Sequence, residues 1–311
     1  FLGGAVIQSA LGIFQFFTQN VGASTLFGIA AHDPTSLGTA VVQAGDRRWL
    51  RAYGAFPHPN VLGAYLAVAL LMCGAALTRA KEKWHWILLL VASQGIVLGL
   101  LFTFSRSAEL SLIGAGIVAA LPLLRRWFNI VYHRQWWTNG GVDGVQPLTV
   151  LVLISSVTLV IFSAYFFDEM KGRIGIAPSR LERQSIDERF SMLTRATPLL
   201  KDDWYRGTGV GNFTNALFHF EKERDIDGAS YTYQPLHNVF LMIFVELGIF
   251  GGVLAVVIFL LYFRGIPSTL YPLPFALLIL SLFDHFLWTL PFGVFFVAIC
   301  CGWASRRQAC S

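Results

Sequence analysis

A histidine and an asparagine, His237-Asn238, stand where a long charged segment meets a long apolar one. The sequence that follows, VFLMIFVELGIFGGVLAVVIFLLYF, is apolar except for Glu246, and Gly248 and Gly251 complete the spacing H-N-x9-G-x-x-G. Roughly 20 apolar residues cross a bilayer as a helix, so the imidazole is predicted to lie at the mouth of a membrane span. An imidazole with a pKa near ~6.5 can accept a proton. The pattern indicates a base for a lipid-linked substrate, although a lone interfacial histidine is by default only an anchor.

Few other polar side chains fall within or beside apolar stretches, where they are costly and usually functional. They are Arg106, Glu109, Glu246, Asp284 and His285. Two interpretations of Arg106 stay open: a structural one, in which it reaches the interface or pairs with Glu109, and an anion site facing a cavity. His237 and Glu246 are nine residues apart, which at about 100° per residue places them on opposite helix faces. Glu246 is therefore expected to pair with another helix, with Arg106 as one candidate, and Gly248 to let a helix approach.

Composition predicts the environment of the chain. Its 311 residues are 55% hydrophobic and 13% charged, with a mean hydropathy of +0.59. Soluble domains average about 25% charged residues, so we predict an integral membrane protein, helical because lipid offers the backbone no hydrogen-bond partner. The predicted fold class is an all-α, polytopic transmembrane bundle with spans near 1–17, 61–78, 87–104, 108–124, 148–167, 239–263, 268–287 and 290–304. Because no charged leader precedes Phe1, the chain is expected to be the later part of a longer protein, and eight spans are a minimum.

Basic residues in the short loops predict the orientation of these spans. With the N-terminus inside, the inner segments hold nine basic residues against two acids, Glu82 and Asp143, in agreement with the positive-inside rule. The basic residues are Arg79, Lys81, Lys83, Arg125, Arg126, Arg134, Arg264, Arg306 and Arg307. The net charge of +5 is therefore interpreted as an orientation signal and not as nucleic-acid binding. Residues 1–311 are predicted to form one membrane domain with a large outer loop, 168–235.

The loop 168–235 holds 21 of the chain's 41 charged side chains, ten basic and eleven acidic. Such a segment is predicted to form a small helical subdomain or a lid on the membrane surface. Within it, Gly207, Gly209 and Gly211 precede a second short helix that ends near Phe220. Backbone N–H groups in such a turn can hold a phosphate oxygen. Without a preceding strand or a following Lys-Ser/Thr pair, however, a simple turn is favoured.

Segment 185–200 of this loop is predicted to be a helix that Ser185 caps. Ile186, Phe190, Leu193 and Ala196 or Thr197 recur at helical spacing and are predicted to form its apolar side.

No metal or disulfide pattern is recognisable. The four cysteines show no C-x-x-C or Cys/His spacing. Two close acid pairs, Asp202-Asp203 and Asp225-Ile-Asp227, lie where acids and bases alternate, so a solvated loop is favoured. They would be the first candidates if catalysis required a metal, but no metal and no cofactor are predicted.

Four stretches of the sequence form one set of motifs. They are Arg51-Ala-Tyr-Gly-Ala-Phe-Pro-His-Pro-Asn60, Phe104-Ser105-Arg106-Ser107, Arg189-x3-Leu193 and His237-Asn238-x9-Gly248-x-x-Gly251. Together they resemble the bacterial O-antigen ligases and their wider superfamily, which includes O-antigen polymerases and protein O-oligosaccharyltransferases. Each stretch alone is weak, but the four occur in order on one predicted membrane face. The resemblance covers roughly residues 45–290.

The resemblance implies a metal-independent, inverting transfer of a glycan from undecaprenyl diphosphate to an acceptor hydroxyl, such as one on a lipopolysaccharide core. It implies a multi-pass protein of the bacterial inner membrane whose active site faces the periplasm. The implied partners are the lipid-linked glycan donor, a glycan or lipid A-core acceptor and the bilayer, with no nucleic acid.

The resemblance also implies roles for particular residues. His237 would accept the acceptor hydroxyl's proton or only orient that hydroxyl. Arg189 and Arg106 would stabilise the diphosphate, because arginine offers phosphate a rigid, permanently charged fork. Arg51, Asn238 and Leu193 are the implied substrate-binding residues.

Two other functions stay open. A polymerase would use the same residues with a second lipid-linked repeat as acceptor. A bicarbonate-like anion transporter is less favoured, because transporters place their sites near the bilayer midplane on broken helices, whereas these polar groups gather at one face. The enzyme hypothesis requires Arg106, Arg189 and His237 to share one pocket open to the outer leaflet.

Overall fold

The computed structural model describes residues 1–26, 28–45, 47–133, 146–174, 176, 180–226, 233–266 and 270–306. These residues form a helical protein, as predicted, with one short antiparallel hairpin, β1 (Val41–Ala44) and β2 (Arg47–Leu50), that was not predicted. The helices are α1 (Leu2–Thr18), α2 (Pro59–Leu77), α3 (Lys83–Phe102), α4 (Arg106–His133), α5 (Gln146–Tyr165), α6 (Phe167–Ile174), α7 (Arg180–Asp202), α8 (Phe213–Lys222), α9 (Val239–Gly265), α10 (Pro272–Phe283), α11 (Phe286–Thr289) and α12 (Pro291–Arg306).

The chain divides into two compact units, unit 1 (Phe1–Glu182) and unit 2 (Arg183–Ser311). In unit 1, α1, α2 and α3 pack against one another, α4 packs on α2, and α5 packs on α3. In unit 2, α9 packs against α8, α10 and α11, and α12 packs against α10 and α11. The boundary falls inside the loop 168–235, and the prediction of one membrane domain over the whole chain stays a prediction.

Each of the eight predicted spans contains a helix among the described residues. Among the described residues, four helical stretches are long and apolar enough to cross a membrane: α2, α3, residues Leu148–Tyr165 of α5, and α9. Shorter apolar helices are α1, α10 and residues Pro291–Gly302 of α12, and α4 covers the predicted span 108–124. The side chains of α5 are largely exposed and apolar, as a lipid-facing surface requires.

The predicted span 268–287 is not one continuous helix. Its main helix, α10, has 12 residues and ends at Phe283, which gives it a length of roughly 18 Å. Asp284 follows with an extended backbone (φ −150°, ψ 160°), and α11 begins only at Phe286. The helix therefore stops at a buried carboxylate.

The predicted span 239–263 is divided at Gly248, where the backbone of α9 is non-helical (φ 66°, ψ −170°). Before this break, Met242 and Val245 belong to a buried cluster, whereas after it Phe250 and Leu254 are exposed. The other buried members of the cluster are Met192, Ala196, Leu199, Phe213, Leu217 and Leu236. The first turns of α9 thus belong to the core that the loop helices form, and the all-apolar surface suited to lipid begins after Gly248.

Helix α7 begins at Arg180, so Ser185 lies inside the helix and its predicted capping role is wrong. The predicted apolar side is wrong for Ile186, Phe190 and Leu193, which are exposed, whereas Ala196 is buried as predicted. The buried side carries Met192, Ala196 and Leu199, which pack with residues of α8 and α9.

Candidate active site

Asn238 fixes the start of α9. Its backbone is extended (φ −158°, ψ 117°), and its Oδ1 accepts a hydrogen bond from Leu241 N at 3.0 Å, as an N-cap residue does. Its Nδ2 donates to the carbonyl of Leu282 at 3.1 Å. Asn238 therefore ties the mouth of α9 to the end of α10 and holds His237 just outside the helix, while its predicted contact with substrate stays a prediction.

The imidazole of His237 lies beside Asp284 and His285. One nitrogen or oxygen atom from each of the three side chains lies within 4.8 Å of the others, and the two imidazole ring centres are 5.2 Å apart. The Nδ1 atom of His237 is buried and has no hydrogen-bond partner among the described residues. Burial lowers the pKa of His237 to about 4, assisted by the charge of Arg189, while Asp284 opposes the shift. At neutral pH the ring is therefore neutral and can accept a proton.

Asp284 is the site residue that sequence reasoning missed. Its side chain is buried, and its Oδ1 accepts a hydrogen bond from the backbone N–H of His285 at 2.8 Å. His285 Nδ1 lies 2.6 Å from the hydroxyl of Thr289 on α11. A carboxylate and an imidazole inside an apolar stretch were the available signal. The 46 residues between His237 and Asp284 hid their proximity.

Arg189 lies on α7, half-buried, and its charge lowers the pKa of His237. Two of the three predicted catalytic residues, His237 and Arg189, thus lie in unit 2, near enough for the charge of Arg189 to act on the imidazole. Leu193, one turn further along α7, is exposed. It does not belong to the buried cluster, and its role in substrate binding stays a prediction.

Glu246 contacts another helix, as predicted, although the contact is with Trp288 of α11 and not with the candidate Arg106. Its buried carboxylate accepts a hydrogen bond from Trp288 Nε1 at 2.8 Å. The element that approaches α9 at Gly248 is a turn and not a helix. A side chain at Gly248 would overlap the carbonyl of Tyr205, and one at Gly207 would overlap the carbonyl of Glu246.

The glycine-rich turn at 207–211 closes the break in α9. Thr208 N donates to Val245 O and Gly209 N to Glu246 O, both at 2.9 Å, and Ile249 N donates to Trp204 O at 2.9 Å. These bonds satisfy the backbone groups that the break leaves without helical partners. The N–H groups of Thr208 and Gly209 therefore bind the backbone of α9. For these two groups, the interpretation as a simple turn and not a phosphate site holds.

In unit 1, Arg106 belongs to a buried ionic cluster. Its Nη2 contacts Glu182 Oε1 at 2.5 Å, and Arg173 Nη1 contacts Glu182 Oε2 at 2.8 Å. Arg173 Nη2 also donates to the carbonyl of Phe104 at 2.6 Å. Of the two interpretations of Arg106, the structural one named Glu109 as partner, whereas the observed ion pair is with Glu182.

Arg51 is buried in the same unit. Its Nε donates to the carbonyl of Thr103 at 2.6 Å, and its Nη2 donates to Asn60 Oδ1 at 2.8 Å and to the carbonyl of Phe104 at 3.3 Å. Burial, and then the charge of Arg173, lower the pKa of Arg51. The side chain thus holds the turn between α3 and α4, and its predicted contact with substrate stays a prediction.

Among the described residues, one group has the ligand types of a metal site: His237, Asp284 and His285. Two imidazoles and a carboxylate suit Zn²⁺, whose bonds to such ligands are about 2.0–2.2 Å long. The atoms would have to move closer together, because their present separations extend to 4.8 Å. Asp202, Asp203 and Asp225 are exposed, and Asp227 lies outside the described residues.

Comparison with known proteins gives one match. A sequence model of the family described as O-antigen ligase matches residues 95–256, which is 162 of the 311 residues. The matched segment contains Arg106, Arg189 and His237, whereas Arg51 and Asp284 lie outside it. No curated protein matches the chain, and no solved structure matches it.

Proposed function

The chain belongs to the O-antigen ligase family of glycan-processing membrane enzymes, and from this premise we propose that it transfers a glycan from undecaprenyl diphosphate to an acceptor hydroxyl. We place the reaction at the periplasmic face of a bacterial inner membrane, with a lipopolysaccharide core as the acceptor. The observation that carries the proposal is His237: a half-buried, neutral imidazole with a buried Nδ1 that has no hydrogen-bond partner among the described residues, beside a buried carboxylate.

The proposed reaction is a single displacement. The acceptor oxygen bonds to the anomeric carbon as its proton passes to His237, and the bond between that carbon and the diphosphate oxygen breaks with its electron pair leaving on the diphosphate. Attack from the face opposite the leaving group inverts the anomeric centre. Asp284 stabilises the imidazolium that forms, since its negative charge raises the pKa of His237.

The diphosphate gains negative charge as the bond breaks, so the protein must supply positive charge. Arginine is suited to this because its planar guanidinium forms paired hydrogen bonds with phosphate oxygens. We assign this task to Arg189 in unit 2 and to Arg106 in unit 1. Support comes from the charge of Arg189 beside His237 and from the carboxylate that Arg106 already binds.

The polyprenyl chain of the donor needs an apolar surface. A groove with a volume of about 340 Å³ runs along α9 across the break at Gly248. It is lined only by apolar residues, among them Phe240, Ile243, Phe244, Ile249 and Val253. Phe240 is close to one helical turn after His237, so a chain in this groove would begin near the imidazole.

The direct test uses the purified full chain in liposomes with an undecaprenyl-diphosphate-linked glycan, a lipid A-core acceptor and a chelator. We expect glycosylated acceptor and free undecaprenyl diphosphate in equal amounts. No transfer with any such donor and acceptor would overturn the proposal. Transfer that stops in chelator and returns with Zn²⁺ would make His237, Asp284 and His285 metal ligands instead.

A polymerase is the second candidate, since the same side chains would serve an acceptor that is itself carrier-linked. The surface glycans of a deletion strain separate the two functions. Long chains accumulating on the carrier indicate a ligase, whereas single repeats indicate a polymerase.

A further inference from the structure

The carboxylate of Glu182 bridges two arginines. Its Oε1 contacts Arg106 at 2.5 Å, its Oε2 contacts Arg173 at 2.8 Å, and only 8% of its side chain is exposed. Arg106 is the more open partner, at 35% exposed against 15% for Arg173. The Glu182 carboxylate thus lies in a cradle formed by Arg106 and Arg173, and Arg106 is the partner that reaches solvent.

The cradle is fixed by the backbone behind it. Arg173 is anchored by its bond to the carbonyl of Phe104, and Arg106 Nη1 donates to the backbone carbonyl of Arg173 at 3.3 Å. Phe104 has a positive φ of 47°, which is strained for a residue with a side chain and often marks a functional site. The arginine forks are therefore held by neighbouring backbone groups and not by Glu182 alone.

The cluster keeps capacity for a larger anion. Three arginines, Arg51, Arg106 and Arg173, lie near enough for their charges to act on Glu109, and the Glu182 carboxylate lies between two of them. The Nε of Arg173 is buried and has no hydrogen-bond partner among the described residues. A phosphate has more oxygens and more charge than a carboxylate, so it can use both guanidinium groups as Glu182 does and satisfy a further donor.

From this arrangement we infer that Glu182 is an internal stand-in for a phosphate group: it occupies the anion position formed by Arg106 and Arg173 and leaves when phosphate binds. Arg173 is the second cation of that position. The inference rests on the proposed function, in which Arg106 binds the donor's diphosphate. Glu182 lies in the first turn of α7, where the helix dipole favours its negative charge after release into water.

The test is binding of inorganic pyrophosphate to the purified full chain by calorimetry, comparing wild type with Glu182→Gln. If Glu182 occupies the position about nine-tenths of the time, removal of its charge tightens binding about tenfold. Glu188→Gln is the matched control: it is the same change on the same helix, at an exposed carboxylate bonded to Gln184. We expect that control to bind pyrophosphate as wild type does.

Unchanged or weaker binding by a folded Glu182→Gln protein overturns the inference. If Glu182→Gln unfolds, Glu182→Asp decides, because the shorter side chain keeps the charge but cannot span both arginines; binding must still tighten. Loss of fold in both variants makes Glu182 purely structural and also overturns the inference.

Parallel titrations with undecaprenyl diphosphate and with phosphatidylglycerol micelles identify the source of the phosphate. Tightening for undecaprenyl diphosphate assigns the position to the donor, whereas tightening only for phosphatidylglycerol contradicts that assignment. Because none of these measurements requires turnover, they separate the two hypotheses. If Glu182→Gln binds pyrophosphate more tightly but the protein transfers no glycan, the proposed function is wrong and the anion position stands. If the protein transfers glycan but Glu182→Gln shows no tightening, the proposed function stands and the anion position is wrong.

Discussion

Burial sets the protonation state of His237. The pKa of this side chain lies at about 4, below its ordinary value of about 6.5. The basic form therefore persists from alkaline pH down to about pH 5 and is lost only as the pH falls through 4. We predict that the transfer rate is flat over that range and has its acid limb near pH 4. An acid limb near or above 6.5, measured as kcat against pH, would contradict a role for His237 as base.

Asp284 is predicted to raise the basicity of His237. In Asp284→Asn the negative charge that opposes the lowered pKa is gone, so the acid limb should move to lower pH. The rate at pH 7 should fall about tenfold or more, because the forming imidazolium loses its counter-charge. A wild-type rate and an unmoved limb in this variant would show that the carboxylate only shapes the turn before α11.

Arg189 is predicted to bind phosphate through a planar fork. In Arg189→Lys the charge stays but the paired hydrogen bonds are lost, so kcat/KM for the donor should fall about ten- to a hundredfold. Arg183→Lys, at an exposed position on the same helix, is the matched control and should behave as wild type. Equal activity of both variants would reduce Arg189 to a helix-surface residue.

The candidate base could be predicted from the sequence, but its surroundings could not. His237-Asn238 lies between a charged and an apolar segment, and that contrast is visible without a structure. The proximity of His237 to Asp284 depends on where α10 ends, and the apolar residues around Asp284 do not indicate that the helix ends there. Likewise Glu182 is one of eleven acids in the loop 168–235, and nothing in its neighbourhood indicates that it bridges two arginines.

At the scale of the elements, the break in α9 positions the site. Gly248 has a φ of 66°, and a side chain there would overlap the carbonyl of Tyr205. We predict that Gly248→Ala costs about 1–3 kcal/mol from its glycine-restricted backbone conformation alone, and more from the overlap, with a lower melting temperature and impaired transfer.

Gly116→Ala is the matched control for this substitution. Gly116 lies in α4, and a side chain there would meet no other atom within 4 Å. Its stability should stay level or rise slightly, because alanine favours a helix. Equal melting temperatures of the two variants would show that the turn at Gly207 does not need to close on α9.

The sequence predicts where the helices are better than it predicts which face of a helix is buried. Each of the eight apolar segments contains a helix, because length and continuous hydrophobicity indicate a helix in lipid, although two of them are interrupted, at Gly248 and at Asp284. The buried face of α7 could not be predicted in this way, since two apolar stripes lie on it and only the positions of α8 and α9 decide between them. The hairpin β1–β2 was missed because each strand has four residues, too few for a periodic signal.

At the scale of the whole molecule, family membership and a multi-pass helical architecture describe the chain. The proposal adds a donor, an acceptor and a membrane face. It assigns proton transfer to side chains of unit 2 and an anion position to side chains of unit 1. The proposed transfer depends on a base in the reaction, which the proposal assigns to His237, whereas the anion position of unit 1 is tested without turnover.

The most direct measurement is glycan transfer by His237→Ala in liposomes with chelator present, against wild type and His219→Ala. His219 is an exposed histidine on α8 and serves as the matched control. We predict at least about a hundredfold loss of transfer in His237→Ala, with an unchanged melting temperature and unchanged donor binding, and full activity in His219→Ala. Wild-type transfer by folded His237→Ala would contradict the account.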